Sequence, residues 1–201
     1  MLTLLVFGSS FVRDLSFFDR GNKIHFLAGR YVKFVYRYFP GKSFEHFLEP
    51  KNYSLIDNVI QCNPDFVCVI FGGNSIKKDL ECDNILVSCR DFYTLLNRRY
   101  LSLNPRGIII ASQVLLRFIR DPDNKHQCPD PDTFRSYRNQ LNRKINSLPT
   151  KHNMLIVAGP NNLDNEKYFK RKDGTHLTWE GKSLQFRTLL RTLFNLITDG
   201  L

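Results

Sequence analysis

The fold is decided near the start of the chain by an apolar run that ends in a turn of small residues, LTLLVFGSSF (residues 2–11). Three further runs, residues 65–71, 107–112 and 154–158, are also apolar, rich in β-branched residues, and end at or just before Gly or Ser. Continuous rather than alternating apolar strands are expected where helices cover both faces of a sheet. The segments between the runs are long enough for helical crossovers between parallel strands. The sequence therefore predicts an α/β fold, a three-layer α/β/α sandwich with a mostly parallel, flavodoxin-like sheet.

Two segments have clear helical periodicity. Apolar residues recur at three- and four-residue steps at Phe134, Tyr137, Leu141, Ile145 and Leu148. A second helix is predicted over residues 179–198, with Thr178 as its N-cap and Glu180 near the positive end of the helix dipole. The polar stretch 121–132 is predicted to be a surface loop.

Composition limits the class of protein. The chain has 201 residues, 42% of them hydrophobic, which predicts a single domain over residues 1–201. Residues 2–7 are too few to span a membrane and lack the features of a signal peptide, so we expect an intracellular, cytoplasmic protein without a transmembrane segment. The five cysteines have no zinc-type spacing, so we expect reduced thiols and no metal or other cofactor.

The chain is strongly basic, with a formal net charge of +10. Lys and Arg are concentrated in residues 30–37, 98–120 and 167–172. This charge is compatible with a nucleic acid or an anionic surface as a partner, although it also serves solubility alone.

Polar side chains follow the predicted strands at the edge where ligands of open α/β sheets bind. FGSSF (residues 7–11) follows the first strand, FGGNS (71–75) follows the second, and KDGTHLT (172–178) precedes the last helix. We therefore expect a serine hydroxyl, an asparagine amide and an Asp/His pair to meet at one edge of the sheet.

These blocks resemble the conserved blocks of SGNH/GDSL-type hydrolases, a family of esterases and lipases. Residues 8–10 are similar to the family's Gly-Asp-Ser, residues 72–74 to its Gly-x-Asn, and residues 173–178 to its Asp-x-x-His-Leu-Thr. The blocks occur in the family's order and cover nearly the whole chain. The remaining glycine block is the loosest match, and Gly29 is the candidate for it.

The resemblance implies an esterase acting on a small acyl ester or a lipid-like substrate. Ser10 would be the nucleophile, His176 the general base, and Asp173 the residue that fixes the imidazole tautomer. The oxyanion would be held by the backbone N–H groups of Ser10 and Gly29 and by the side-chain amide of Asn74. No metal is needed for this chemistry.

Two positions depart from the family pattern, since Ser9 and Ser75 stand where the family has Asp. Neither is a triad position, so we expect them to affect turnover more than the fold. The phrase DGTHLTWEGK (residues 173–182) is also similar to SGNH-like domains of some retrotransposon proteins.

Two other interpretations remain open. One is a weakly active or inactive SGNH-like scaffold that serves as a basic nucleic-acid-binding or interaction module. The other is a flavodoxin-like nucleotide-binding domain, which we rank last because the chain has no glycine-rich phosphate loop.

Overall fold

A computed structural model describes residues 1–21, 23–77, 79–118, 129–148, 154–157, 161–170 and 175–199. The elements in chain order are β1 (Leu2–Gly8), α1 (Ser10–Phe18), β2 (Ile24–Leu27), β3 (Arg30–Tyr38), α2 (Phe44–Leu48), α3 (Tyr53–Ile60), β4 (Phe66–Ile70), α4 (Cys82–Leu103), β5 (Ile108–Ser112), α5 (Pro131–Asn146), β6 (Met154–Val157) and α6 (Trp179–Thr198). Short 3-10 turns lie at Pro50–Asn52, Asn161–Asp164 and Glu166–Tyr168.

The strands form one sheet in the order β2-β3-β1-β4-β5-β6. Every neighbouring pair is parallel except β2 with β3. In the centre of the sheet, Gly8 at the end of β1 lies beside Tyr38 of β3 and Ile70 of β4. The carboxyl ends of these three strands therefore meet at one edge. The predicted α/β class with a mostly parallel sheet is confirmed.

Each face of the sheet buries its own apolar core. On one side, α1 and α6 pack against β-strand residues such as Val6 and Phe34. On the other side, helices α2 to α5 pack against residues such as Phe7 and Val69. Alternate residues of one strand enter different cores, which is why the strands are apolar throughout rather than alternating. The three layers are thus α1/α6, the sheet, and α2–α5.

The structure contains a hairpin of β2 and β3 that the sequence does not predict. In β3 the outward positions carry charged and aromatic residues, so the strand does not form a continuous apolar run. The two strands are joined by Ala28 and Gly29, whose positive φ angles of 46° and 76° suit a tight hairpin turn. At its start β3 is covered on one face only, so its first residues alternate between exposed and buried. Further along, β3 is buried on both faces.

The predicted helix boundaries agree with the structure to within a few residues. The second predicted helix is α6, and the side chain of Thr178 accepts a hydrogen bond from the Gly181 N–H, as an N-cap does. Among the helices described, none is both long enough and apolar enough to cross a membrane. Most of the predicted loop 121–132 lies outside the described residues.

Candidate functional site

Ser10 lies where β1 turns directly into α1. Gly8 ends the strand, and a Cβ at this position would lie 2.4 Å from the Ile70 carbonyl oxygen, so only glycine fits. Ser9 is the buried N-cap residue, and its N–H donates to that same carbonyl at 3.2 Å. Ser10 is the first residue of the helix and is half-buried. Its hydroxyl therefore stands at the positive end of the helix dipole, at the carboxyl edge of the sheet.

Asn74 follows the neighbouring strand β4 at the same edge. Gly72 has a φ of 117° and a Cβ there would lie 2.4 Å from Val114 Cγ2, so the turn requires glycine. The Asn74 Nδ2 donates to the Lys42 carbonyl oxygen at 3.1 Å. Lys42 lies in the loop after β3, so the side chain of Asn74 ties together the loops that follow two strands flanking β1.

Arg117, in the segment after β5, holds the other end of this amide. Its Nη2 donates to Asn74 Oδ1 at 2.7 Å, a charge-assisted hydrogen bond. The guanidinium lies 5.5 Å from the centroid of the Phe134 ring. It also packs against Gly73, where an added Cβ would lie 3.0 Å from Nη2. The amide orientation of Asn74 is thus fixed, with Oδ1 toward the cation and Nδ2 toward Lys42.

Ser75 stabilises the loop after β3 through a buried hydrogen bond. It is fully buried, and its Oγ accepts a hydrogen bond of 3.0 Å from the Phe44 N–H at the start of α2. Its own N–H donates to Gly72 O at 3.0 Å, closing the turn that carries Asn74. Ser75 therefore connects the two loops next to Ser10.

His176 lies on a short hairpin before α6. The Lys170 N–H donates to His176 O at 2.8 Å, and the Thr178 N–H donates to Tyr168 O at 2.8 Å. The imidazole ring is half-buried, with its centroid 6.3 Å from that of the Phe11 ring. Because Phe11 directly follows Ser10, the structure brings His176 to the start of α1. Asp173 lies outside the described residues.

The structure does not bring Gly29 to this edge. Gly29 lies in the hairpin turn before β3, and β3 runs parallel to β1 with Val32 beside Leu2 and Tyr38 beside Gly8. The turn is therefore at the amino end of the sheet, about 30 Å from Gly8 at roughly 3.3 Å per strand residue. The prediction that Gly29 donates to the oxyanion is wrong, because the strand β3 that separates it from the site was not recognised in the sequence.

Gly41 is the glycine that lies at the position expected of Gly29. It has a φ of 73° and lies in the loop after β3, one residue before Lys42. That loop is attached to the end of β1, since the Phe39 N–H donates to Gly8 O at 2.8 Å. The sequence signal was the Pro-Gly pair of residues 40–41, which is only informative once β3 is known to end at Tyr38.

A charged pair links α1 to α6 one turn beyond Ser10. Asp14 is buried, and the Lys182 Nζ lies 4.0 Å from its Oδ2.

In the part of the chain that the structure describes, no three His, Cys, Asp or Glu residues cluster as metal ligands would.

Several solved structures with similar folds are esterases or acylhydrolases. A carbohydrate esterase of family 3 from Talaromyces cellulolyticus superimposes with a TM-score of 0.68 at 16% identity, covering 100% of both chains. An acetyl esterase with a serine-to-alanine substitution, solved with an acetate ion, gives 0.67 at 16% identity over 99% of both chains. A lipase/acylhydrolase from Enterococcus faecalis gives 0.62 at 17% identity, covering 97% of this chain and 96% of that one.

At these identities the similarity establishes the fold, which is that of SGNH/GDSL hydrolase structures. No model of a protein family matches the chain, and no curated protein matches it in sequence.

Proposed function

We propose that this chain is a serine hydrolase that cleaves a small acyl ester, with Ser10 as its nucleophile. One observation supports the proposal: Ser10 begins α1 at the carboxyl edge of the parallel sheet, and the Asn74 amide and the His176 ring lie on loops near it. Ligands of open α/β sheets bind at this edge. Solved esterases share the fold, which supports the same chemistry here.

The reaction follows from the three side-chain types. His176 takes the proton of Ser10 Oγ while that oxygen attacks the carbonyl carbon of the ester. The imidazolium then returns the proton to the departing alcohol, and water releases the acyl group by the reverse sequence. Asp173 is assigned the role of fixing the imidazole tautomer, on the strength of its place in the sequence block. No step in this scheme uses a metal or a cofactor.

The negative charge that develops on the carbonyl oxygen needs donors in fixed positions. The Ser10 N–H belongs to the first turn of α1, where the helix itself provides no acceptor. Asn74 Nδ2 carries two hydrogens, and its bond to Lys42 O uses one of them. In place of Gly29 we assign the third donor to the Gly41 N–H, in the loop that the side chain of Asn74 contacts.

Arg117 acts in this scheme as a positioning residue. By donating to Asn74 Oδ1, it prevents the amide from rotating its oxygen toward the oxyanion. Its positive charge also increases the polarity of the amide, which makes Nδ2 a stronger donor.

From the sequence alone we further propose a small acyl ester or a lipid-like molecule as the substrate, a relation to the SGNH-like domains of retrotransposon proteins, and a cytoplasmic location. The competing hypothesis of an inactive scaffold is motivated by Ser9 and Ser75, and the same experiment decides it.

The test compares Ser10→Ala with Ser9→Ala in hydrolysis of p-nitrophenyl acetate. Ser9 is a matched control, because it is the adjacent serine and its side chain makes no capping hydrogen bond. Ser10→Ala should lower kcat by about 10⁴-fold or more, whereas Ser9→Ala should stay within about tenfold of wild type. Equal rates for wild type and Ser10→Ala, or no hydrolysis by the wild type, would overturn the proposal.

A further inference from the structure

A second functional surface is suggested by the charge of the β2–β3 hairpin. From Arg20 to Phe44 the chain contains no Asp or Glu, although it contains Arg20, Lys23, Arg30, Lys33, Arg37 and Lys42. All six of these cations are exposed. Among the described residues, the ion pairs include none of the three cations on the hairpin itself, Lys23, Arg30 and Lys33. The hairpin therefore presents uncompensated positive charge to solvent.

Exposed apolar side chains lie on one face of the hairpin, the face that also carries Lys33. Phe26 and Tyr31 are directly opposite each other in the ladder, with ring centroids 5.1 Å apart, and they are 64% and 61% exposed. Ile24, 57% exposed, is opposite Lys33. The other face of β2 is covered, since His25 packs against Phe34 and Phe186.

We propose that this face of the hairpin, formed by Ile24, Phe26, Tyr31 and Lys33, binds single-stranded nucleic acid. Exposed rings provide stacking surfaces for unpaired bases. Lys33 on the same face, together with Lys23 and Arg30 at the ends of the hairpin strands, supplies positive charge that neutralises the phosphates. The two rings are tilted by 56° to each other, and neither belongs to the apolar core.

The position of the hairpin argues against an anionic membrane as the occupant. Tyr31 precedes Val32, which lies beside Leu2 at the amino end of β1. Ser10 lies beyond the other end of that seven-residue strand, about 23 Å away at 3.3 Å per residue. A membrane held by the hairpin would thus face away from the proposed esterase site, whereas a nucleic acid does not need to reach it.

The test is fluorescence anisotropy with a labelled 20-nucleotide single-stranded oligonucleotide at about 50 mM salt, then at increasing salt. With three phosphates neutralised, the slope of log K against log salt should be about −2, because each contact on a single strand contributes roughly −0.7. The double variant Phe26→Ala/Tyr31→Ala should weaken binding about tenfold or more, the loss expected for removed stacking. Lys33→Glu should weaken binding and bring the slope closer to zero by about 0.7.

Matched controls are Phe17→Ala and Arg98→Glu, an exposed aromatic residue on α1 and an exposed cation on α4. Both should bind like wild type. Hydrolysis of p-nitrophenyl acetate, or circular dichroism where no hydrolysis is found, verifies that each variant is folded. The proposal is overturned by absence of binding at low salt, by equal losses in controls and hairpin variants, or by binding to anionic vesicles that the hairpin variants lose while oligonucleotide binding persists.

Discussion

Replacing Arg117 by Met tests whether the Asn74 amide, the proposed oxyanion donor, needs Arg117 to hold it in the right orientation. Met keeps the aliphatic part of the side chain but removes the guanidinium over the Phe134 ring and with it the donor to Asn74 Oδ1. A hydrogen bond of 2.7 Å from a charged group contributes about 1.5–3 kcal/mol. If that energy serves to hold the amide for the transition state, kcat should fall by roughly 10- to 150-fold with little change in KM.

The assay is steady-state hydrolysis of p-nitrophenyl acetate by Arg117→Met, Asn74→Ala and the double variant. Removing an oxyanion donor such as Asn74 typically costs about 10² to 10³ in kcat. Because Arg117 is proposed to act through Asn74, the double variant should be hardly slower than Asn74→Ala alone. Arg135→Met on α5 is the control, since Arg135 is exposed and pairs only locally with Asp132.

Two results would refute this reasoning. If the effects on log kcat of Arg117→Met and Asn74→Ala are additive, Arg117 does not act through the amide. If Arg117→Met lowers the melting temperature and kcat remains that of wild type, the contact between Arg117 and Asn74 serves stability only.

Two further predictions concern stability and thiol chemistry. Ser75→Ala leaves the buried N–H of Phe44 without its acceptor, which should cost about 1–3 kcal/mol and lower Tm by roughly 2–10 °C in a thermal melt. The control Ser102→Ala, at an exposed helix end, should change Tm by less than about 2 °C. Equal shifts in the two variants would contradict the role assigned to Ser75. Burial raises the pKa of the Cys68 and Cys89 thiols to about 12, so at pH 8 only about one thiol in 10⁴ is ionised. Both should resist iodoacetamide in peptide mapping and react after unfolding in guanidinium, whereas rapid labelling of the native protein would show that the core opens.

The sequence predicts the central strands and the residues at their ends for a physical reason. A strand covered on both faces must be apolar at every position, so β1, β4 and β5 are visible without a structure, and β6 is visible as an apolar run. In a parallel sheet the residues after such strands must lie at a common edge. This is why Ser10 and Asn74 could be assigned to one site before their contacts were known.

The hairpin of β2 and β3 and the site residues that depend on it were not predictable in this way. An edge hairpin with one exposed face carries cations and aromatic residues at alternate positions, and such a pattern does not distinguish it from a loop or a helix face. Missing β3 moved the glycine assignment from Gly41 to Gly29. Arg117 was one of many cations in the basic stretch 98–120, and only its contact with Asn74 distinguishes it.

Ser9 and Ser75 stand where the SGNH/GDSL pattern that the sequence resembles has Asp, and this does not by itself favour an inactive scaffold. The N–H of Ser9 bonds to Ile70 O and its carbonyl accepts from Val12, so the turn before Ser10 is built from the main chain. Ser75 uses its hydroxyl to hold the Phe44 N–H, which a carboxylate could also accept. In a fully buried site a hydroxyl does this without the desolvation cost of a charge. The two serines therefore support the loop geometry on which the proposed oxyanion donors depend, and a loss of activity would have to arise elsewhere in the site.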